Sequence, residues 1–263
     1  MTTSITPLAR LQAIMTQLRD PEHGCPWDLA QDFASIVPHT IEETYEVADA
    51  IASGDRAAIR DELGDLLFQV VFYAQLGKEE GAFDLDAIAT AISDKLVRRH
   101  PHVFGELDES DPALLNANWE QIKAQERAGR QADTSVLADV PLALPALSRS
   151  VKLQKRAARV GFDWQELAPV FDKIAEEIDE VKAELPGADP ARLQDEVGDL
   201  LFAVSNLARH LQVDPEAALR GTNAKFERRF RAIEQRVQQR GETMATQGLE
   251  KLEAHWQAVK ENE

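Results

Sequence analysis

The sequence predicts an all-α protein made of one helical unit occurring twice. Ala, Leu, Glu, Gln, Arg and Lys dominate the chain, and the period-2 alternation of β-branched residues that marks strands is scarce. The heptapeptide "ELGDLLF" at 62–68 returns as "EVGDLLF" at 196–202, 134 positions later. The cluster "EETYE" at 42–46 likewise returns as "EEIDE" at 176–180, again 134 positions later. In both copies 15 residues separate the two motifs, so the whole pattern EExxE, 15 residues, ExxD is duplicated. A period of that length makes a repeated architecture the first expectation.

In chain order, "LARLQAIMTQLRD" (8–20) sets Leu8, Leu11, Met15 and Leu18 at helical spacing, and "DPEHGCPWD" (20–28) interrupts it with two prolines and a glycine. A helix is expected over 38–52, then a turn at "ASGDRA", then a helix over 57–80. "AFDLDAIATAISDKLVRR" (82–99) reads as an amphipathic helix with Asp84 as N-cap. A loop over 100–112 and a helix through Trp119 and Lys123 complete the first copy. The second copy keeps the order, with helices over 146–159, 168–185, 190–212 and 215–240 and a last one near the end. The expected domains are 1–126 and 146–263, joined by a proline-punctuated linker over 127–145.

Composition narrows the function classes. The 263 residues carry a net charge of −17, which argues against nucleic-acid binding by counterion release. Cys25 is the only cysteine, so no internal disulfide can form and a reducing, cytoplasmic setting is expected. A secretory leader is not expected, because the first residues lack a basic stretch followed by an apolar core. The charge-free run Leu66–Gly77 is too short to span a bilayer as a helix.

The duplicated acids carry the chemistry. Residues three apart on a helix share a face, with Cβ atoms about 5–6 Å apart. Glu43 therefore neighbours Glu46, and Glu62 neighbours Asp65; Glu177 with Glu180, and Glu196 with Asp199, repeat the arrangement. If the two helices fold back on one another, four carboxylates converge, and anions so packed repel unless a cation neutralises them. A hard divalent ion with oxygen preference meets that need, Mg²⁺ above all, with Mn²⁺ as substitute. A lone ExxE is ordinarily a solvated helix face, but duplication down to the spacing favours a metal site. Gly64 and Gly198 cost a helix interior roughly 0.5–1 kcal/mol each, which suggests close approach of a helix or ligand there. Cations are duplicated as well: Lys95 and Arg99, Lys225 and Arg229, and the i,i+4 pairs Trp119–Lys123 and Trp256–Lys260. Such groups bind phosphate oxygens and stack on bases. There is no P-loop, no ExxH element and no EF-hand loop, and Cys25, His39, His100, His102 and His210 show no ligand spacing.

These motifs, with "DPEHGCPWD", "KLVRRHPHVF" (95–104), "VGFDW" (160–164) and "KFERRF" (225–230), make the chain similar over almost its full length to two-domain MazG-type members of the all-α nucleoside triphosphate pyrophosphohydrolases. The resemblance implies Mg²⁺-dependent hydrolysis of nucleoside triphosphates to monophosphate and pyrophosphate, with broad base tolerance and a house-cleaning role. It also implies a homodimer whose helices complete each four-helix site. By resemblance Glu177, Glu180, Glu196 and Asp199 hold the metal, with Glu43, Glu46, Glu62 and Asp65 as N-terminal equivalents. Glu176 or Glu42 would handle the attacking water. Lys225, Arg229 and Lys260 would contact phosphates and Trp256 the nucleoside, with Lys95, Arg99, Lys123 and Trp119 as counterparts. Arg99 precedes His100–Pro101 and should lie where its helix ends, so the C-terminal site is expected to carry most turnover. Two other readings are a narrow dUTP or dCTP hydrolase and a non-catalytic helical module that docks a basic partner.

Overall fold

The computed structural model describes residues 5–106, 110–128, 135–187 and 189–262, all helix, turn and loop, with no strand among them. They divide into two compact units, one within 1–130 and the other within 131–263.

In the N-terminal unit, α1 (Pro7–Leu18) starts at Thr6, whose hydroxyl accepts from the Ala9 amide, and a single turn α2 (Pro26–Leu29) follows. Helix α3 (Phe33–Ser53) opens with an Asp32–Ser35 capping box and ends on Gly54 at φ 76°. Glycine takes that left-handed conformation without a Cβ clash, which lets the chain reverse at once. Asp55 then caps α4 (Arg56–Glu79), so α3 and α4 form a helical hairpin with two residues between them. Asp84 caps α5 (Leu85–Arg99) by accepting from the Ala87 amide, as the sequence suggested. The expected loop over 100–112 instead contains a short helix, α6 (Pro101–Phe104). Pro101 occupies its first position, where a fixed φ and a missing N–H cost nothing, so a helix starts at a residue read as a breaker. Helix α7 (Pro112–Ala128) ends the unit.

Helices α1 and α4 close over a core of Met15, Ile36, Val71, Phe72, Ala74 and Leu76. Arg19 staples the loop after α1: it pairs with Glu79 at 2.7 Å and donates to the carbonyls of Asp28 and Gln31.

The C-terminal unit repeats the plan with α8 (Ala146–Ala158), α9 (Ala168–Glu184) and α10 (Pro190–His210), the last capped by Asp189. Asp214 caps the long α11 (Pro215–Gln239), and a 3₁₀ turn at Met244–Thr246 leads into α12 (Leu249–Lys260). Ile233, Val237 and Val259 form the α11–α12 core. Part of the stretch expected as linker packs into this unit: Ala138 and Val140 are buried, and Arg156 donates to the carbonyls of Val136 and Ala138 at 3.2 Å. The loop before α9 is anchored by Asp163, which receives both Arg209 and His210.

Candidate functional site

Each helical hairpin gathers its acids. On α3–α4, carboxylate oxygens of Glu43, Glu62 and Asp65 lie within 4.8 Å of one another, and on α9–α10 those of Glu177, Glu196 and Asp199 do the same. The fourth expected member acts on each triad: Glu46 raises the Glu43 carboxyl, and Glu177 raises that of Glu180. Spacing on single helices put these residues on faces, and the fold-back at Gly54–Asp55 and before Asp189 brings the faces together.

The electrostatics are those of crowded anions. Burial, then the charges of Asp65, Glu46 and Glu62, push the Glu43 carboxyl above its ordinary range. Glu62 is raised by desolvation and by Glu46 and Asp65. Glu180 is raised first by its hydrogen bond with Glu177 and then by desolvation. Glu177 is only 4% exposed. Lys173 holds one of its oxygens at 2.8 Å, while its Oε2 is buried with no hydrogen-bond partner among the described residues. A buried carboxylate oxygen without a partner is costly, and this one lies in a triad of hard oxygen donors. The residues therefore fit a hard divalent cation, and the donor chemistry suits Mg²⁺ or Mn²⁺.

No other helix among the described residues comes close to Gly64 or Gly198. A Cβ at either would meet nothing within 4 Å.

Glu176, the candidate for handling water, is exposed and lies 3.0 Å from Lys173 Nζ, so one lysine spans Glu176 and Glu177. Both acids hold the lysine strongly in its charged form. Lys173 was not singled out in the sequence, because it is not duplicated: 134 positions earlier stands His39, 3.8 Å from Glu42 and edge-on to Trp27. Its spacing of four from Glu177 was the available signal.

A cavity of about 760 Å³ opens beside the C-terminal triad and reaches Glu177, Asp199 and Lys173. Its walls include Phe162, Trp164, Phe202 and the polar Gln154 and Asn206; of these Phe202 ends the duplicated heptapeptide, and Gln154 and Asn206 belong to no motif singled out in the sequence.

The cations and their tryptophans form separate groups. Arg229 sits over the Trp256 ring at 5.5 Å and Phe226 packs on the same indole at 5.4 Å. Lys225 and Lys260 are exposed on α11 and α12. None of Lys225, Arg229, Trp256 and Lys260 lines the cavity or enters the carboxylate triad. In the N-terminal unit Lys123 lies over Trp119 at 5.1 Å, and Lys95 is half-buried on α5. Arg99 is the last residue of α5, as expected, and shares Glu126 with Arg98 at 2.5 and 2.7 Å. That double pairing holds the Glu126 carboxyl down at about 2.

Comparison with known proteins adds the family. The model of the MazG nucleotide pyrophosphohydrolase domain matches this chain twice, over residues 31–104 and 165–233. Both matches contain one complete carboxylate set. The chain is 57% identical to the nucleoside triphosphate pyrophosphohydrolase of Escherichia coli K12, over 97% of each chain. It is 42% identical to the nucleoside triphosphate pyrophosphohydrolase/pyrophosphatase MazG of Thermotoga maritima, over 95% of this chain and 94% of that one. It also matches 51% of the length of the uncharacterized protein YabN of Bacillus subtilis, at 43% identity.

Proposed function

The chain belongs to the MazG nucleotide pyrophosphohydrolase family and is an enzyme of that class, and from this premise we propose how it works. It hydrolyses ribo- and deoxyribonucleoside triphosphates to the monophosphate and pyrophosphate, with broad base tolerance, in a cytoplasmic house-cleaning role. The observation that carries this reading is the duplicated carboxylate triad with its unpartnered, buried Glu177 oxygen.

Glu177, Glu180, Glu196 and Asp199 would hold Mg²⁺ or Mn²⁺ in the C-terminal unit, and Glu43, Glu46, Glu62 and Asp65 in the N-terminal one. When bound, the cation supplies charge neutralisation on the triphosphate oxygens. Lys173 adds a fixed positive charge beside the triad. Lys225, Arg229 and Lys260, with Lys95, Arg99 and Lys123 as counterparts, contact phosphate oxygens, and Trp256 or Trp119 borders the nucleoside. Glu176, or Glu42 in the other unit, orients the water and takes its proton. The water oxygen bonds to the α phosphorus, the α–β bridging P–O bond breaks, and pyrophosphate leaves with the electron pair.

We assign most of the turnover to the C-terminal unit, because Lys173 and the cavity adjoin its triad. A second copy of the chain completes the sites. Two facts support that: Leu63, Leu67 and Val70 form an exposed apolar stripe next to Glu62 and Asp65, and Val197, Leu201 and Val204 form its equivalent. Immediate helix neighbours apart, no atom of the described residues lies within 4 Å of where a Cβ of Gly64 or Gly198 would sit, which leaves room for a partner helix there. No helix among the described residues is long and apolar enough to cross a membrane.

Product analysis tests the reading. ATP and dTTP are incubated with the protein and Mg²⁺, with and without EDTA, and products are separated by anion exchange. Monophosphate plus pyrophosphate, abolished by EDTA, is expected. Diphosphate plus phosphate would overturn the cleavage site, and no turnover would overturn the activity.

A further inference from the structure

Each acidic hairpin buries one side-chain oxygen that has no hydrogen-bond partner among the described residues. On α9–α10 it is the Glu177 Oε2; on α3–α4 it is the amide Oε1 of Gln69. Helices α4 and α10 are in register 134 positions apart, so Gln69 falls on Ala203 and Phe72 on Asn206. Laying Leu8-Ala9-Arg10 on Leu147-Ser148-Arg149 puts Met15 on Gln154. The cavity-lining Gln154, Ala203 and Asn206 thus correspond to Met15, Gln69 and Phe72, of which Met15 and Phe72 belong to the core of the N-terminal unit. Gln69 is only 6% exposed beside that core. A buried polar oxygen there is costly unless something satisfies it.

Two contacts between α3 and α4 fix where Gln69 lies. The hydroxyls of Thr40 and Tyr73 meet at 2.9 Å. Carboxylate oxygens of Glu43, Glu62 and Asp65 lie within 4.8 Å of one another. On α4, Gln69 stands one turn from Asp65 and one turn from Tyr73, so it faces the stretch of α3 between Thr40 and Glu43. A helical side chain leans back over the turn that precedes it, and for Gln69 that turn carries Asp65. Ionised carboxylates only accept hydrogen bonds, so none of these acids satisfies the amide oxygen. A cation among them does.

The charges differ between the hairpins in the same direction. Lys173 holds one oxygen of Glu177 at 2.8 Å and offsets part of the C-terminal negative charge. The N-terminal set has no equivalent lysine, since His39 stands at that position and lies against Glu42 instead. Affinity for a hard cation rises with the charge and number of its oxygen ligands. We propose that Gln69 is a cation ligand: its Oε1 joins Glu43, Glu62 and Asp65 and makes the α3–α4 acids the tighter of two sites for a divalent cation. This inference rests on the reading of both acid sets as cation sites given above.

Calorimetric titration of the nucleotide-free protein with Mn²⁺ tests it. Two classes of site are expected, the tighter one lost in Glu62→Gln and kept in Glu196→Gln. Gln69→Met, which keeps the length and loses the oxygen, should weaken the tighter class about tenfold and leave the weaker one unchanged. Gln69→Glu retains an oxygen there and should bind at or above wild-type affinity. A single class of equal affinity, or a tighter class that is lost in Glu196→Gln or ignores Gln69→Met, overturns the inference. So does equal weakening in Gln69→Met and Gln69→Glu, which would mean that the amide serves by donating its N–H. Absence of Mn²⁺ binding at either set overturns the cation reading of the acids and this inference with it. Should Gln69→Met fail to fold, Gln69→Glu decides the matter: affinity at or above wild type supports it, and weaker binding overturns it.

Discussion

The N- and C-terminal helical hairpins carry the same four acids at the same spacing, yet they are not the same site. On α9–α10 the central Glu177 is buried, a lysine spans it and Glu176, and a cavity opens at its side. On α3–α4 Glu43 is only half-buried, a histidine replaces the lysine, and the positions equivalent to the cavity wall are occupied by Met15 and Phe72. Holding a divalent cation asks only for converging oxygens, which a helical repeat supplies twice. Turning over a nucleotide also asks for room and for a cation placed against the phosphates. The difference teaches that a duplicated acidic motif does not bring duplicated surroundings: among the described residues the lysine and the cavity adjoin only the C-terminal acids.

The largest test of this comparison is to neutralise one acid in each hairpin. Glu196→Gln should lower kcat by about a hundredfold or more, the size of losing a metal ligand or electrostatic stabiliser. Glu62→Gln should remove less than about half of the turnover by the same reasoning. Steady-state rates with ATP measure both, and equal losses would abolish the assigned asymmetry.

A second test removes the lysine. Lys173→Met takes away the positive charge beside Glu177 and should lower kcat/KM about tenfold, with partial recovery in Lys173→Arg. His39→Ala, at the equivalent position, should change kcat/KM by less than about twofold. If both variants behave alike, the lysine is a structural ion pair and not part of what sets the hairpins apart.

What could be read from the sequence follows from what repeats. The all-α class, the α3–α4 and α9–α10 hairpins and their acids were legible because helical spacing and a 134-residue repeat report on the same residues. Lys173 was not, because it breaks the repeat. Nor was the cavity: Gln154 on Met15, or Asn206 on Phe72, is a change of volume at one position each, and only packing shows that the two positions share a wall. Helix α6 was missed because Pro101 was read as a stop when it serves as a first residue. At Gly64 and Gly198 the chain's own packing gives no reason for glycine, since, immediate helix neighbours apart, no atom of the described residues lies within 4 Å of where a Cβ would sit.

Acid crowding gives a third, smaller contrast. Glu43 and Glu62 have folded-state values raised above the ordinary carboxylate range, so without metal they oppose folding once both ionise. The sign is that of a raised acid: the penalty is present above the raised value and is relieved as pH falls through it. In EDTA, Glu62→Gln should raise the melting temperature of the protein at neutral pH, and added Mn²⁺ should stabilise wild type more than the variant. A lower melting temperature for the variant in EDTA would mean that the N-terminal acids are held by contacts other than a cation.

The smallest effect concerns Glu126, the acid on which Arg98 and Arg99 converge. Its folded-state value near 2 lies below the unfolded carboxylate range, which is the opposite sign. The contribution is complete above the unfolded value, about 4.3, and is lost as pH falls toward about 2. The pair is near the surface, so Glu126→Gln should cost on the order of 1 kcal/mol at pH 7. That cost should shrink as thermal melts are repeated from pH 5 down to pH 3. Turnover should be nearly unmoved, because most of it is assigned to the C-terminal unit, whose phosphate contact is Arg229 rather than Arg99. A loss of kcat in Glu126→Gln matching that of Glu196→Gln would show that Arg99 needs its acid in order to serve chemistry, and that the N-terminal unit works as a second active centre after all.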